Sequence, residues 1–212
     1  MFQTRLHLSE STGLKAHNVE ELLGIMKEVP GASIYHHTHR FLQQHERLSP
    51  EPPNDFAYWI TDILGEGELG EKLASIDIIQ FQSIRALRES IIATIEKYVE
   101  ENPQVKGKNA KPGKEFYFIK SISFVMPTGF AAKNLQEFSE ILGKVNINSV
   151  YFHIFEARLR LENKTSDFAN WIEKNIGDKE LAEEINRLDP YTYAIDDLRK
   201  EIIMIVQKRI SG

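Results

Sequence analysis

The chain has 212 residues, 42% hydrophobic and 27% charged, enough apolar material for one large or two small globular domains and inconsistent with wholesale disorder. It contains no cysteine, which excludes disulfides, thiolate metal sites and thiol nucleophiles and fits a reducing compartment. The net charge of −5 is uneven: residues 1–105 carry 9 Lys and Arg against 16 Asp and Glu, and the remainder 17 against 15, so the first half lacks the basic footprint that nucleic-acid binding needs.

The N-terminus, Met1 to Leu8, has no long apolar run behind a basic flank, so no secretory leader is expected. Every apolar stretch falls far short of the ~20 residues of a membrane span. A soluble cytoplasmic protein is expected. Alternation from Phe2 to Leu8 predicts a strand. Asn18 with Glu21 reads as the capping box of a first helix, which sets Val19, Leu22, Leu23 and Met26 on one face. Ser33 is the expected cap of a second helix reaching to about Glu46. Asp55 is the expected cap of a third, which carries Phe56, Trp59 and Ile60 inward and stops at Gly65. A short helix holding Leu69 and Leu73 follows, then a long one with Ile84, Leu87, Ile91, Ile95 and Tyr98 at helical spacing. Residues 101–115 read as a linker, with Lys106, Lys108, Lys111 and Lys114 as solvated connector charges rather than a binding patch.

The second half repeats this order. A shift of 116 positions places Thr12-Gly13 on Thr128-Gly129, Asn18 on Asn134, Glu21 on Glu137 and Val29 on Val145. The same shift places Ser33, Tyr35, His37 and Glu46 on Ser149, Tyr151, His153 and Glu162. After four extra residues in the first copy, Asp55, Phe56, Ala57, Trp59 and Ile60 fall on Asp167, Phe168, Ala169, Trp171 and Ile172. Leu87-Arg88 later meets Leu198-Arg199. A strand is expected over Phe116 to Phe124, and Asp189-Pro190 reads as the start of the last helix. Ordered identities over nearly the whole unit point to an internal duplication.

The expected fold is therefore mainly α (α+β): two tandem pseudo-symmetric helical repeats, 1–100 and 116–212, joined by 101–115 and packed as one globule. One strand per copy leaves backbone groups unsatisfied unless the two strands pair, so a small sheet formed from both is expected.

Two features bear on chemistry. Gly65, Gly67 and Gly70 fit the dinucleotide-binding spacing G-x-G-x-x-G, but a helix is predicted before them and Glu66 and Glu68 would repel a pyrophosphate, so a helix stop and turn is expected. The other is Tyr35 to Glu46, which holds four of the seven histidines. At about 100° per residue, His36, His39 and Gln43 share one flank, and the copy replaces them with Phe152, Phe155 and Leu159. This flank has three readings: solvated or singly hydrogen-bonded helix residues, a contact surface anchored by the three apolar counterparts, or a metal or acid–base site in which His36 and His39 converge with Glu46. His37 and His153, the histidine pair kept by both copies, read either as groups that meet near a pseudo-twofold axis with Tyr35, Tyr151, Glu46 and Glu162 or as packing groups. Trp59 and Trp171 read as core residues, and Arg88 and Arg199 as partners of nearby acids. The proline-rich stretch from Leu48 to Asn54 contains the first copy's extra residues.

The runs His36 to Phe41, Asp55 to Trp59 and Glu156 to Leu161 resemble an uncharacterised bacterial domain family of unknown function. The resemblance spans most of the chain and implies no activity, cofactor or site residue. The expected function is a non-catalytic interaction or scaffolding protein acting through the first copy's His-rich helix and proline-rich stretch, with a protein partner or a second copy of itself, and with no nucleic-acid or membrane partner. The alternative is a metal-dependent or acid–base enzyme at His36, His39 and Glu46.

Overall fold

A computed structural model describes residues 1–40, 54–157, 165–188 and 194–212. The fold is mainly α with one two-stranded antiparallel sheet. Strand β1, Gln3–Ala16, pairs with β2, Phe116–Pro127. The Thr12 hydroxyl donates to the Phe118 carbonyl at 2.7 Å, and the Thr128 hydroxyl to the Phe2 carbonyl at 2.9 Å. The strands pair with each other, as the backbone argument requires. They run longer than expected because Ser9 to Thr12 is polar and carries no hydrophobic alternation; backbone pairing alone extends β1 there. In β2 the buried positions step from Phe118 to Ser121, an odd interval that breaks the two-residue period.

The described residues divide between two compact units. The middle unit runs from Leu8 to Ile122, and the terminal unit combines Met1–His7 with the residues from Ser123 onward. Each thus holds one length of each strand.

In the middle unit α1, Val19–Glu28, opens on Asn18, whose side chain accepts from the Glu21 N–H at 2.9 Å. The Glu21 carboxylate in turn accepts from the N–H of His17, the residue before the cap, at 2.9 Å, a variant of the predicted capping box. Helix α2, Gly31–Tyr35, runs on into a wider π-helical turn, His36–Arg40. Helix α3, Asp55–Tyr58, does the same over Trp59–Ile63. Then come α4, Gly67–Ala74, and α5, Ile84–Glu101. Leu22, Met26, Ile34, Phe56, Ile60, Leu69, Leu73, Leu87, Ile91 and Ile95 form the buried centre.

The terminal unit has α6, Leu135–Leu142, opened by Asn134 with its side chain on the Glu137 N–H at 2.8 Å. Helix α7, Ile147–Tyr151, continues as a π-turn, Phe152–Glu156, and α8, Asp167–Trp171, as another, Ile172–Ile176. Helices α9, Lys179–Arg187, and α10, Ile195–Ser211, follow. Asp189 and Pro190, read as the start of the last helix, lie outside the described residues.

Several expected caps are corrected. Helix α2 starts after Pro30 with no side-chain cap, and Ser33 is buried inside it. Asn146 caps α7, while Ser149 donates to the Gln3 carbonyl at 2.6 Å. Asn54 and Ser166, not Asp55 and Asp167, cap α3 and α8. The acids are one residue too late to cap, which frees them for the site described below. Arg88 differs from expectation and Arg199 only in part: each donates to a carbonyl just past the first helix of its unit, Val29 and Val145 respectively. Arg199 pairs with Asp196 as well.

The glycine-rich stretch is a helix boundary. Gly65 has φ +69°, and a Cβ on Gly70 would lie 1.8 Å from the Thr61 hydroxyl oxygen, so Gly70 lets α4 approach the α3 turn. No strand precedes it. The 101–115 segment is held to its unit: Val105 is buried, the Ala110 N–H donates to the His17 carbonyl at 2.7 Å, and Lys106 and Lys108 pair with Glu20 and Glu66.

Burial pushes the Tyr98 phenol up to about 12, helped by its hydrogen bond to Glu66 at 2.9 Å. A phenol whose pKa is raised by folding stabilises the protein fully below its unfolded value near ~10 and loses that contribution as pH climbs through about 12. Urea unfolding of the native protein and Tyr98→Phe should show a stability difference that is constant to about pH 9 and moves against the native protein between roughly pH 10 and 12.

Candidate functional site

The residues most alike in the two units are the histidines at the start of the π-turns. In the middle unit the His37 Nε2 accepts from the Ile119 N–H of β2 at 3.0 Å, and its Nδ1 lies 2.7 Å from Asp55 Oδ2. In the terminal unit the His153 Nε2 accepts from the Gln3 N–H of β1 at 2.9 Å, and its Nδ1 lies 2.7 Å from Asp167 Oδ2. Because Nε2 accepts in both, the proton sits on Nδ1 and is donated to the carboxylate. Each ring satisfies a strand N–H that the partner strand does not, and both rings are buried. Asp55 and Asp167 are thus orienting groups for histidine, a role that their position near a helix start concealed.

The His-rich flank is buried as well. His36 Nδ1 lies 3.0 Å from the Ser121 hydroxyl on β2. In the terminal unit the corresponding positions are Phe152 and Arg5, and the guanidinium stands 5.3 Å from the Phe152 ring centroid. One facing pair has become polar and the other cation–π. His39 stacks on Tyr35 with ring centroids 5.5 Å apart and an angle of 6°. Thr38 gives its proton to the Ile34 carbonyl at 2.6 Å, so the 3.1 Å contact between its oxygen and His39 Nδ1 has the ring as donor. Of the expected metal set, His36 turns to β2 and His39 to Tyr35 and Thr38. Glu46 lies outside the described residues, as do Gln43, Leu159, Glu162 and the proline-rich stretch up to Pro53. Among the described residues no group of three or more His, Asp or Glu is placed to hold a metal.

A polar chain on the ribbon, buried at His7 and Glu156, carries no motif in the sequence. Ser123 Oγ lies 2.8 Å from His7 Nδ1, and His7 Nε2 lies 3.1 Å from Glu156 Oε1. Arg5 pairs with the other Glu156 oxygen at 2.6 Å. Glu156 is 1% exposed and His7 7%, whereas Ser123 is exposed. Glu156 corresponds to Arg40 under the repeat shift, so the charge reversal at that position, together with a histidine in an otherwise alternating strand, was the available signal.

The terminal unit also holds a cleft of about 300 Å³. Its apolar wall is Phe2, Phe138, Phe168 and Trp171; its polar wall includes His153, Asp167, Asn170, Lys174 and Asn175. Phe138 and Trp171 stack with centroids 5.4 Å apart and an angle of 14°. Trp171 is consequently half-buried, not the core residue expected, while Trp59 is 4% exposed and donates its indole N–H to the Lys114 carbonyl at 2.8 Å.

With this geometry in hand, comparison with known proteins places the chain. The model of a family of unknown function (DUF5752) matches residues 1–207. The chain belongs to this family. No curated protein matches it. The solved structure of OrfY from Thermoproteus tenax is similar to this DUF5752 chain, with a TM-score of 0.81 at 25% identity over 100% of this chain and 95% of that one. No helix of the described residues is long and apolar enough to cross a membrane.

If His153 serves the strand edge, His153→Ala should cost about 2–4 kcal/mol in urea unfolding, from an orphaned N–H and a small cavity. Hydrogen exchange at the Gln3 amide should accelerate by the largest factor in β1, while the Ile119 amide keeps its protection.

Proposed function

We propose that this protein is a non-catalytic interaction module that engages a protein partner through the cleft of the terminal unit. In this reading it is a tandem duplicate, 1–100 and 116–212 joined by 101–115, whose copies have divided labour, and it acts in the cytoplasm. The carrying observation is the cleft, where aromatic walls meet uncommitted polar groups. Lys174 has no ion-pair partner among the described residues, and the Trp171 indole N–H has no acceptor there. Binding sites combine apolar walls with a few such convergent polar groups. Exposed Met1 and Phe130 of the same unit add apolar surface. Of the histidines that first suggested chemistry, His36 and His37 hold their helix to β2, and His39 packs on Tyr35 and Thr38 of its own helix.

The test is site-specific photo-crosslinking in cells, with the crosslinker at position 174 or 175 and, as a control, at Arg85 on the solvent face of α5. The module reading predicts one recurrent adduct from 174 and 175 that excess purified protein competes away. Adducts no different from the Arg85 control would overturn it.

A second reading, an acid–base enzyme, finds support at Ser123–His7–Glu156 rather than at His36, His39 and Glu46. A hydroxyl on an imidazole whose other nitrogen faces a carboxylate is the arrangement that activates a serine. That reading predicts that a fluorophosphonate probe labels Ser123 and that His7→Gln abolishes labelling. An unlabelled Ser123 in the folded protein would remove it.

A further inference from the structure

The middle unit displays what the corresponding residues of the terminal unit are shaped to hold. In the middle unit the Phe116 ring is 5% exposed and sits 4.7 Å from His37, 5.1 Å from Phe56 in a stacked contact and 5.7 Å from Trp59 edge-on. The chain arrives there extended from Lys114, whose carbonyl takes the Trp59 indole N–H at 2.8 Å. The counterparts of His37, Phe56 and Trp59 are His153, Phe168 and Trp171, and all three line the cleft. Among the described residues no single ring contacts all three as Phe116 does in the middle unit: Phe2 stands 5.8 Å from His153 and from Phe168, and Phe138 stands 5.2 Å from Phe168. Phe138, at the position of Leu22, takes the stacking contact with Trp171 and leaves the rest of the volume open.

We infer that the cleft of the terminal unit binds an aromatic side chain on an extended segment of a partner protein, seated against His153, Phe168 and Trp171 as Phe116 is seated against His37, Phe56 and Trp59. This rests on the interaction-module reading and deepens it by naming the occupant's chemistry. The Trp171 indole N–H then takes a main-chain carbonyl two residues before the aromatic one, as Trp59 does with Lys114. Lys174, where the middle unit has Asp62, reverses the charge at the rim. It favours a carboxylate on the incoming segment. Residue 175, asparagine in place of Ile63, supplies an amide for main-chain groups. About 300 Å³ admits one aromatic ring with its flanking backbone. A bulky aliphatic residue would fill the space without the stacked and edge-on ring contacts.

The chain supplies its own probe. A capped peptide with the sequence of Ala110 to Phe116 carries the aromatic residue, the carbonyl two residues before it and, at Glu115, an adjacent carboxylate. The protein has two tryptophans, so titration of the 15N-labelled full chain can be read at two indole N–H signals. The inference predicts saturable movement of the Trp171 signal, none of the Trp59 signal, and weakening by about tenfold or more when the peptide phenylalanine becomes alanine. Lys174→Glu, a change at the exposed rim, should weaken the native peptide several-fold and the peptide with Gln at Glu115 much less. No movement of the Trp171 signal at millimolar peptide, or equal movement with the alanine peptide, would overturn it. Movement with free indole or phenol but not with the peptide would reassign the cleft to a small aromatic molecule and also overturn it. So would movement that tracks protein concentration alone, which would make a second copy the occupant. If crosslinks form at 174 and 175 but the peptide fails, the module reading stands and the aromatic occupant falls.

Discussion

The structure depends on a buried imidazole that closes the open edge of a two-stranded ribbon. A ribbon of two strands satisfies only the inward-facing half of its backbone groups, and a buried N–H without an acceptor costs about 1–3 kcal/mol. His37 and His153 solve this at Ile119 and Gln3 with the same three-part arrangement of strand amide, ring and carboxylate. The carboxylate fixes the tautomer that leaves Nε2 free to accept. The π-helical turn that starts at the neighbouring residue recurs in both units, as does the wider turn after the Asp-bearing helix. Such turns add a residue to the helical period and so re-aim the side chains that follow.

Around that shared frame the two units diverge at side chains, not at backbone hydrogen bonds. His36 with Ser121 and Phe152 with Arg5 solve the same facing position, one by a hydrogen bond and the other by a cation over a ring. Position 156 holds a carboxylate that pairs with Arg5 and lies within hydrogen-bond distance of His7 in the terminal unit. Where Phe116 completes the aromatic cluster of the middle unit, the terminal unit keeps a cleft with a lysine and two asparagines at its edge. A frame that is over-determined by His–Asp pairs can tolerate such changes in one unit without losing the strand contact.

Much of this fold was legible in the residues. Asn18 with Glu21 and Asn134 with Glu137 announced two helix starts, and the spacing of Leu87, Ile91, Ile95 and Tyr98 announced the long helix; the need to pair lone strands announced the ribbon. The length of β1 was not legible, because Ser9 to Thr12 pairs through its backbone and shows no alternation. Asp55 and Asp167 looked like caps because they sit one residue from the cap position, and only a tertiary contact reveals the histidine they orient. The flank of His36 and His39 stands out in the sequence from Phe152 and Phe155, yet its burial against β2 and Tyr35 depends on partners 85 and 4 residues away. The cleft left no contiguous motif. Its lining differs from the middle unit at scattered single positions, Phe138 for Leu22, Lys174 for Asp62 and Asn175 for Ile63, which become one site only in three dimensions.

The most direct test of the central claim is the tautomer of His37 and His153, read from long-range 15N–1H couplings within each ring. The account predicts the Nδ1–H form for both rings, with the Nε2 signal shifted by an amide hydrogen bond and with slow exchange at Ile119 and Gln3. An Nε2–H form at either ring, or rapid exchange of either amide in the folded protein, would contradict it.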